Sequence, residues 1–261
     1  MRILGVIPAR YYSTRFLGKP IVSILGKPMV QYVYEQARRS KNLEEVIVAT
    51  DDTRIEEVVK KFGGKAVLTS PEHTTGTDRL TEIAFEMGKD YDIIVNIQGD
   101  EPLIEHRIID QCIEPFRNDF KAQDVVTLVH TIKKEEDLKN PNVVKVVTDK
   151  EGFALYFSRS MIPFPFQLYK DGLKFEEAYK FTVLYRHIGI YAYKRDFLME
   201  LASWKPTPLE MIENLEQLRI LENGKKIRVV ETEYESVGVD IPEDLRKVEE
   251  ILKHRWGLEH I

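Results

Sequence analysis

Short apolar runs alternate with longer amphipathic stretches through the first half of the chain. Ile3–Ile7, Val46–Thr50, Ala66–Thr69 and Ile93–Ile97 have strand length and few polar positions, and Asn96 alone interrupts the last. Between them, apolar or aromatic residues at 29, 30, 33, 34 and 37 mark a helix over Met29–Ser40. Asp52 or Thr53 caps a second helix that runs to Phe62 and stops at Gly63-Gly64. Thr77 is the expected cap of a third, over Asp78–Gly88, and Ile104–Phe116 is a fourth. Helix after strand, repeated, predicts a parallel sheet with right-handed crossovers.

The second half has another rhythm. Asp124–Thr131, Val143–Thr148, Phe153–Phe157 and Ile188–Tyr193 read as strands without long helices between the first three. Helices are expected at Arg195–Ala202, Leu209–Ile212 and Asn214–Glu222, short strands at Ile227–Glu231 and Val237–Val239, and a closing helix over Pro242–Arg255 with proline in its first turn. There is no fixed-period repeat and no low-complexity linker. The pattern therefore predicts one α/β domain over 1–261 with a mixed-sheet extension at 125–195. Residues 162–181 concentrate aromatics (Phe164, Phe166, Tyr169, Phe175, Tyr179 and Phe181), which suit core anchoring, a subunit interface or a substrate lid. Lys133–Asp137 is a mixed-charge run and reads as a solvated face.

At 261 residues, 43% hydrophobic and 31% charged, the chain has a globular composition and enough material for a core. A net charge of -5 argues against nucleic acid as the main partner but leaves room for a local basic pocket. Cys112 is the single cysteine, so disulfide frameworks and cysteine-based metal sites are excluded within one chain, and its apolar helical setting predicts an inert buried thiol. The first residues do not read as a signal peptide and no apolar run reaches spanning length. A cytoplasmic protein with no membrane partner is expected.

Chemistry gathers first in Pro8–Pro20, a basic loop leaving the carboxyl end of the first predicted strand, where open α/β sheets bind ligands. Arg10, Arg15 and Lys19 suit a polyanion: guanidinium forks grip phosphate oxygens and lysine adds a point charge. Gly18 permits close backbone approach. No Walker A and no Gly-x-Gly-x-x-Gly follows any predicted strand, so neither a P-loop nor a dinucleotide fold is signalled. Asp100, just past the strand at 93–97, is placed as a Mg²⁺ ligand; Asp240 has a similar setting, although Asp-Ile-Pro-Glu also suits a helix start. In His73–Arg79, small hydroxylated residues around Gly76 allow backbone close to a base or ribose, and Arg79 could reach an anion; such a loop also serves as a plain helix cap.

Nine segments then line up, in order, with one family. Ile-Pro-Ala-Arg-Tyr-x-Ser-Thr-Arg, Gly-Lys-Pro, Gly-Thr-Asp-Arg, Val-x-Ile-Gln-Gly-Asp-Glu-Pro, Asn-Pro-Asn-Val-Val-Lys, Ala-Leu-Tyr-Phe-Ser-Arg, Arg-His-Ile-Gly-Ile-Tyr, Leu-Glu-Gln-Leu-Arg and Gly-Val-Asp-Ile-Pro-Glu-Asp cover nearly the whole chain. With them the chain resembles the cytidylyltransferases that activate 3-deoxy-D-manno-octulosonate (KDO). The resemblance implies a Rossmann-related nucleotidyltransferase (GT-A-like) three-layer fold, a homodimer, the substrates CTP and KDO, Mg²⁺ as cofactor, and CMP-KDO for lipopolysaccharide synthesis as product. Carried over motif by motif, Ala9, Arg10, Ser13, Arg15, Lys19, Thr74, Gly76 and Arg79 would bind CTP, with Arg10, Lys19 and Asp100 catalytic. Asp100 and Asp240 would hold Mg²⁺. Gln98, His187, Glu216 and Gln217 would contact the sugar acid, with Arg159 and Tyr185 nearby. Leu17 departs from the family's usual proline, which would stiffen the loop.

Taken alone, His187 reads as a packed histidine, and Glu216 and Gln217 as exposed helix residues. Rival readings are a CMP-sialic acid-type synthetase, whose opening loop typically runs Ala-Arg-Gly-Gly-Ser-Lys-Gly; a glycosyltransferase, whose Asp-x-Asp follows a strand whereas Asp90-Tyr91-Asp92 precedes one; and a silent nucleotide-binding regulator, which would be expected to lose Arg10, Lys19 or Asp100.

Overall fold

The computed structural model describes residues 1–12, 16–73, 75–166, 170, 172, 177, 182–235 and 237–256. Two compact units emerge: Met1–Ile113 with Ile190–Ala202 and Glu235–Ile261, and Glu114–Gly189 with Ser203–Tyr234. The second compares with the extension anticipated at 125–195.

In the first unit, β1 (Ile3–Ala9) is followed by a small hairpin, β2 (Ser23–Ile24) and β3 (Lys27–Pro28), then β4 (Glu45–Thr50), β5 (Ala66–Leu68) and β6 (Ile93–Asn96). β6, β1, β4 and β5 lie side by side and parallel, with Val6 opposite both Ile47 and Asn96. Residues Tyr191–Lys194 pair antiparallel with β6 on its other side. β1, β4 and β6 are buried on both faces, hence their largely apolar runs, whereas β5 at the edge is half-exposed. Helices at Met29–Arg38, Thr53–Lys61, Gly76–Glu86 and Arg195–Ala202 are amphipathic; the first buries Met29, Val30, Tyr32, Val33 and Ala37. Met29 and Tyr32 continue into a cluster with Ile24, Leu103, Val239, Val248 and Leu252, which anchors the closing helix Asp244–Trp256.

The second unit contains β7 (Val125–Thr131), β8 (Lys145–Thr148), β9 (Ala154–Ser158), the first residues of β10 (Tyr185–Lys194) and β11 (Arg228–Glu231). β11 runs parallel to β7, while β8 is antiparallel to both β9 and the start of β10. This is the mixed sheet expected of the second half.

Several boundaries differ from expectation, each for a local reason. The third helix is capped by Thr75, not Thr77: the Thr75 hydroxyl accepts from Asp78 N (3.1 Å) and the Asp78 carboxylate accepts from Thr75 N (3.0 Å). That reciprocal pair satisfies two orphan N–H groups two residues earlier. Val237–Val239 is not a strand; the segment is fixed by Val239 N donating to Asp100 O (2.9 Å) and by the burial of Val239. The closing helix opens at Asp244, after Pro242, and Asp244 accepts from the N–H groups of Asp240 and Ile241. Asn214–Glu222 is not one helix: Asn214 adopts left-handed φ 52, ends Pro208–Glu213, and helix resumes only at Leu218–Glu222. The charged run at 133–137 passes into a short helix, Glu135–Lys139, that buries Leu138. Cys112 is fully buried, and burial pushes its thiol pKa up, as an inert thiol requires. Phe164 and Phe166 are exposed; Tyr169, Phe175, Tyr179 and Phe181 lie outside the described residues. No helix among the described residues is long and apolar enough to cross a membrane.

Candidate active site

The carboxyl ends of β1, β4 and β6 deliver the chemistry of the first unit. Ala9 ends β1 and Arg10 follows it, exposed. The chain folds back so that Gly18 N donates to Tyr11 O (2.9 Å) at a left-handed φ of 67, where an added Cβ would meet the Tyr11 ring at 3.3 Å. Arg54, gripped by Asp52 at 2.8 and 2.6 Å, lies 3.3 Å over the Tyr11 ring and braces this turn. Beyond β6, Gly99 passes so close to β1 that a Cβ would stand 2.7 Å from Pro8 O, so only glycine lets Gln98-Gly99-Asp100 reach the end of β1.

These segments enclose a cleft of about 210 Å³. Ala9, Arg10 and Lys19 line it from the first loop, Thr75, Gly76 and Arg79 from a helix N-terminus, and Gln98, Gly99 and Asp100 from beyond β6. Lys19 Nζ donates to Asp100 Oδ2 (2.7 Å) and Val239 O (2.8 Å). Together with the bond from Val239 N to Asp100 O, this joins the Asp100 turn to the backbone immediately before Asp240. The two carboxylates expected as metal ligands thus sit on adjoining backbone, with the Lys19 ammonium donating to two oxygens there. Asp240 lies four residues before the first residue of the closing helix, and its backbone N–H donates to the Asp244 carboxylate (2.8 Å). Among the described residues, no group of three or more His, Cys, Asp or Glu could hold a metal. Two carboxylates are what Mg²⁺ needs when substrate phosphates and water complete its shell.

Arg79 is almost completely buried. Its Nη2 donates to Asp51 (3.0 Å) and its Nη1 to the Thr69 hydroxyl, which itself donates to Thr50 O (3.1 Å). Of the predicted nucleotide set, Ala9, Arg10, Lys19, Gly76 and Arg79 therefore meet at one cleft, and Ser13, Arg15 and Thr74 lie outside the described residues.

The proposed sugar contacts divide. Gln98 lines this cleft, whereas Arg159, Tyr185, His187, Glu216 and Gln217 belong to the second unit. There, Arg159 holds the turn after the helix Pro208–Glu213: its Nε donates to Glu213 O (2.7 Å), Nη1 to Pro141 O (3.1 Å) and Nη2 to Asn214 O (3.3 Å). The Glu213 carboxylate accepts from Ser158 Oγ (2.6 Å) and Arg159 N (2.9 Å). Glu216 is exposed in the turn, but Gln217 is buried, and its Nε2 has no hydrogen-bond partner among the described residues. A buried, unpaired amide donor is costly and suits a ligand contact. Tyr185 donates to Glu231 (3.2 Å), and its phenol pKa is raised by burial and by that carboxylate. His187 Nε2 lies 2.9 Å from the Thr127 hydroxyl, its ring meets Phe157 edge-on, and burial pushes its pKa down to about 3.

Reading the sequence missed Asp51, Thr69 and Thr75 in the first unit and Lys145 and Glu213 in the second. Asp51 was findable, because it directly follows β4 as Asp100 follows the run at 93–97. Lys145 was too: it is the one cation inside Val143–Val147, fully buried, with Nζ donating to Asn140 O (2.9 Å), Val143 O (2.6 Å) and Arg159 O (2.6 Å).

The family model for cytidylyltransferases matches residues 4–227. A 3-deoxy-manno-octulosonate cytidylyltransferase from Geotalea uraniireducens (strain Rf4) is 56% identical over 254 residues, 97% of this chain and 100% of the relative. Its counterpart from Fusobacterium nucleatum subsp. nucleatum is 50% identical, covering 97% of this chain and 98% of that one. A solved CMP:2-keto-3-deoxy-manno-octonic acid synthetase complexed with CTP superposes with TM-score 0.88 at 41% identity, over 98% of this chain and 100% of that one. The 4-diphosphocytidyl-2C-methyl-D-erythritol synthase of Anaerococcus prevotii, at 14% identity and TM-score 0.61 over 97% of this chain and 96% of that one, shares the fold alone. The chain belongs to the cytidylyltransferase family and, within it, to the 3-deoxy-manno-octulosonate cytidylyltransferases.

Proposed function

We propose that this chain couples CTP with KDO to give CMP-KDO and pyrophosphate. The observation that carries the reading is the convergence of Arg10, Lys19, Gln98 and Asp100 on one cleft at the carboxyl ends of parallel strands. The anomeric 2-hydroxyl of KDO attacks the α-phosphorus in line, and pyrophosphate leaves. Catalysis is positioning and charge stabilisation, with no covalent intermediate on the protein. Arg10 grips phosphate oxygens as a fork, and Lys19, held at the cleft by Asp100 and the Val239 carbonyl, offsets charge on the leaving group. Asp100 and Asp240 would hold Mg²⁺, which when bound draws charge from phosphate oxygens as a Lewis acid. The unpaired amide of Gln217 supports a role in holding the sugar acid. Exposed Leu155, Phe164, Phe166, Met211 and Ile212 on the second unit support a homodimer. The dependence on CTP fits a cytoplasmic enzyme.

Pyrophosphate release tests the reaction. It is expected with CTP plus KDO and absent with CTP plus sialic acid; equal release with both, or none with KDO, overturns the reading.

A further inference from the structure

Arg79 contributes to the cleft differently from Arg10 and Lys19. Its side chain is 3% exposed and its charge is met by Asp51, itself 14% exposed. A buried guanidinium is tolerated only when paired and hydrogen-bonded, and here both conditions hold. A neutralised guanidinium brings little net charge to a triphosphate. What it offers the cleft is a rigid set of directional N–H donors. The Thr69 hydroxyl is locked as an acceptor, because its own proton goes to Thr50 O. Asp51 and Thr69 together set the plane of the fork, and the second carboxylate oxygen of Asp51 is buried without a partner among the described residues. That arrangement leaves Asp51 committed to Arg79 alone among the described residues that bond to its side chain.

Cytosine presents two adjacent acceptors, O2 and N3. Uracil presents O2 and an N3–H donor. A fixed pair of donors fits the first and opposes the second. We propose that Asp51, backed by Thr69, is a specificity-determining positioning residue that holds Arg79 to read the base as cytosine. The proposal rests on the CTP reading above. Asp51 touches no substrate and acts through Arg79.

The test uses the full-length enzyme, with KM for CTP, kcat, and the inhibition constant of UTP as competitor. Asp51→Asn keeps the shape but leaves the guanidinium charge unmatched. KM for CTP is expected to rise about tenfold with kcat changed less, and the preference for CTP over UTP to fall about tenfold. Thr69→Val, a milder change, should move the same preference in the same direction by a fewfold, and serves if Asp51→Asn folds poorly. An unchanged CTP-over-UTP preference in both variants, whatever happens to thermal stability, overturns the proposal while leaving the CTP reading intact. A wild-type enzyme that makes no CMP-KDO from CTP overturns both.

Discussion

Arg79 and Lys145 are both cations buried almost out of reach of water, one in each unit, and they do opposite work. Arg79 is matched by a carboxylate and lines a cleft. Among the described residues Lys145 has no carboxylate within hydrogen-bonding reach; three backbone carbonyls accept from its ammonium. Burial pulls the Lys145 ammonium pKa below its ordinary value, and the field of Glu213 offsets only part of that. Nothing of its hydrogen-bonding capacity remains for a ligand, so it ties residues 140–143 to Arg159. A buried cation is thus read by where its donors go, not by its burial. The same test separates Lys19, which faces the cleft, from Arg159, whose guanidinium is largely spent on carbonyls.

The comparison breaks most easily at Asp100. Asp100→Ala removes the cleft carboxylate and the partner of Lys19 while disturbing little packing, since Asp100 is 35% exposed. The rate of CMP-KDO formation should fall on the order of a thousandfold, with little change in the urea midpoint. Near-normal turnover with Mg²⁺ would sink the assignment of Asp100 to the machinery. The opposite pattern would show that this end of the molecule, too, is held mainly by its polar groups.

Lys145→Met reverses the profile. The methionine fills the volume but leaves three carbonyls without the donor they now share, for a cost of about 3 kcal/mol measured by urea unfolding. Turnover per folded molecule should fall less than in Asp100→Ala, and the loss should appear in KM for KDO, because Arg159 and the 213–217 turn loosen together. A variant as stable as the wild type would mean that those carbonyls find water, and the contrast with Arg79 would lose its basis.

These two residues also mark what could be read in advance. Rules about strand ends found Arg10, Lys19 and Asp100, because a parallel strand buried on both faces announces its own end. The same rule applied to β4 points at Asp51, the first of two adjacent aspartates, of which only Asp52 caps the next helix. Thr75 was displaced by Thr77 because either threonine can cap, and only the return bond from Asp78 decides. Gln217 reads as exposed when Asn214–Glu222 is taken as a single helix; the left-handed Asn214 and the turn that delays the helix to Leu218 are invisible to periodicity. Arg159 has its place set by carbonyls 18 to 55 residues away, which no spacing in the chain encodes.

His187 gives the smallest effect and the sharpest sign. Its imidazole has an ordinary pKa of 6.5 and one of about 3 in the fold, lowered by burial, with Nε2 against the Thr127 hydroxyl. The folded form therefore stays neutral where the unfolded chain takes up a proton. Its contribution to stability is fully present above about pH 6.5 and is lost as pH falls toward 3, with a slope of at most about 1.4 kcal/mol per pH unit. Urea midpoints at pH 7.5, 6.5 and 5.5 check this against His187→Gln, which does not titrate. Wild type and variant should keep a constant difference from pH 7.5 to 6.5, and wild type should then lose more stability on going to pH 5.5. Parallel behaviour across all three would mean that the ring titrates freely in the fold. It would then belong with the cleft-facing groups of the first unit rather than with Lys145.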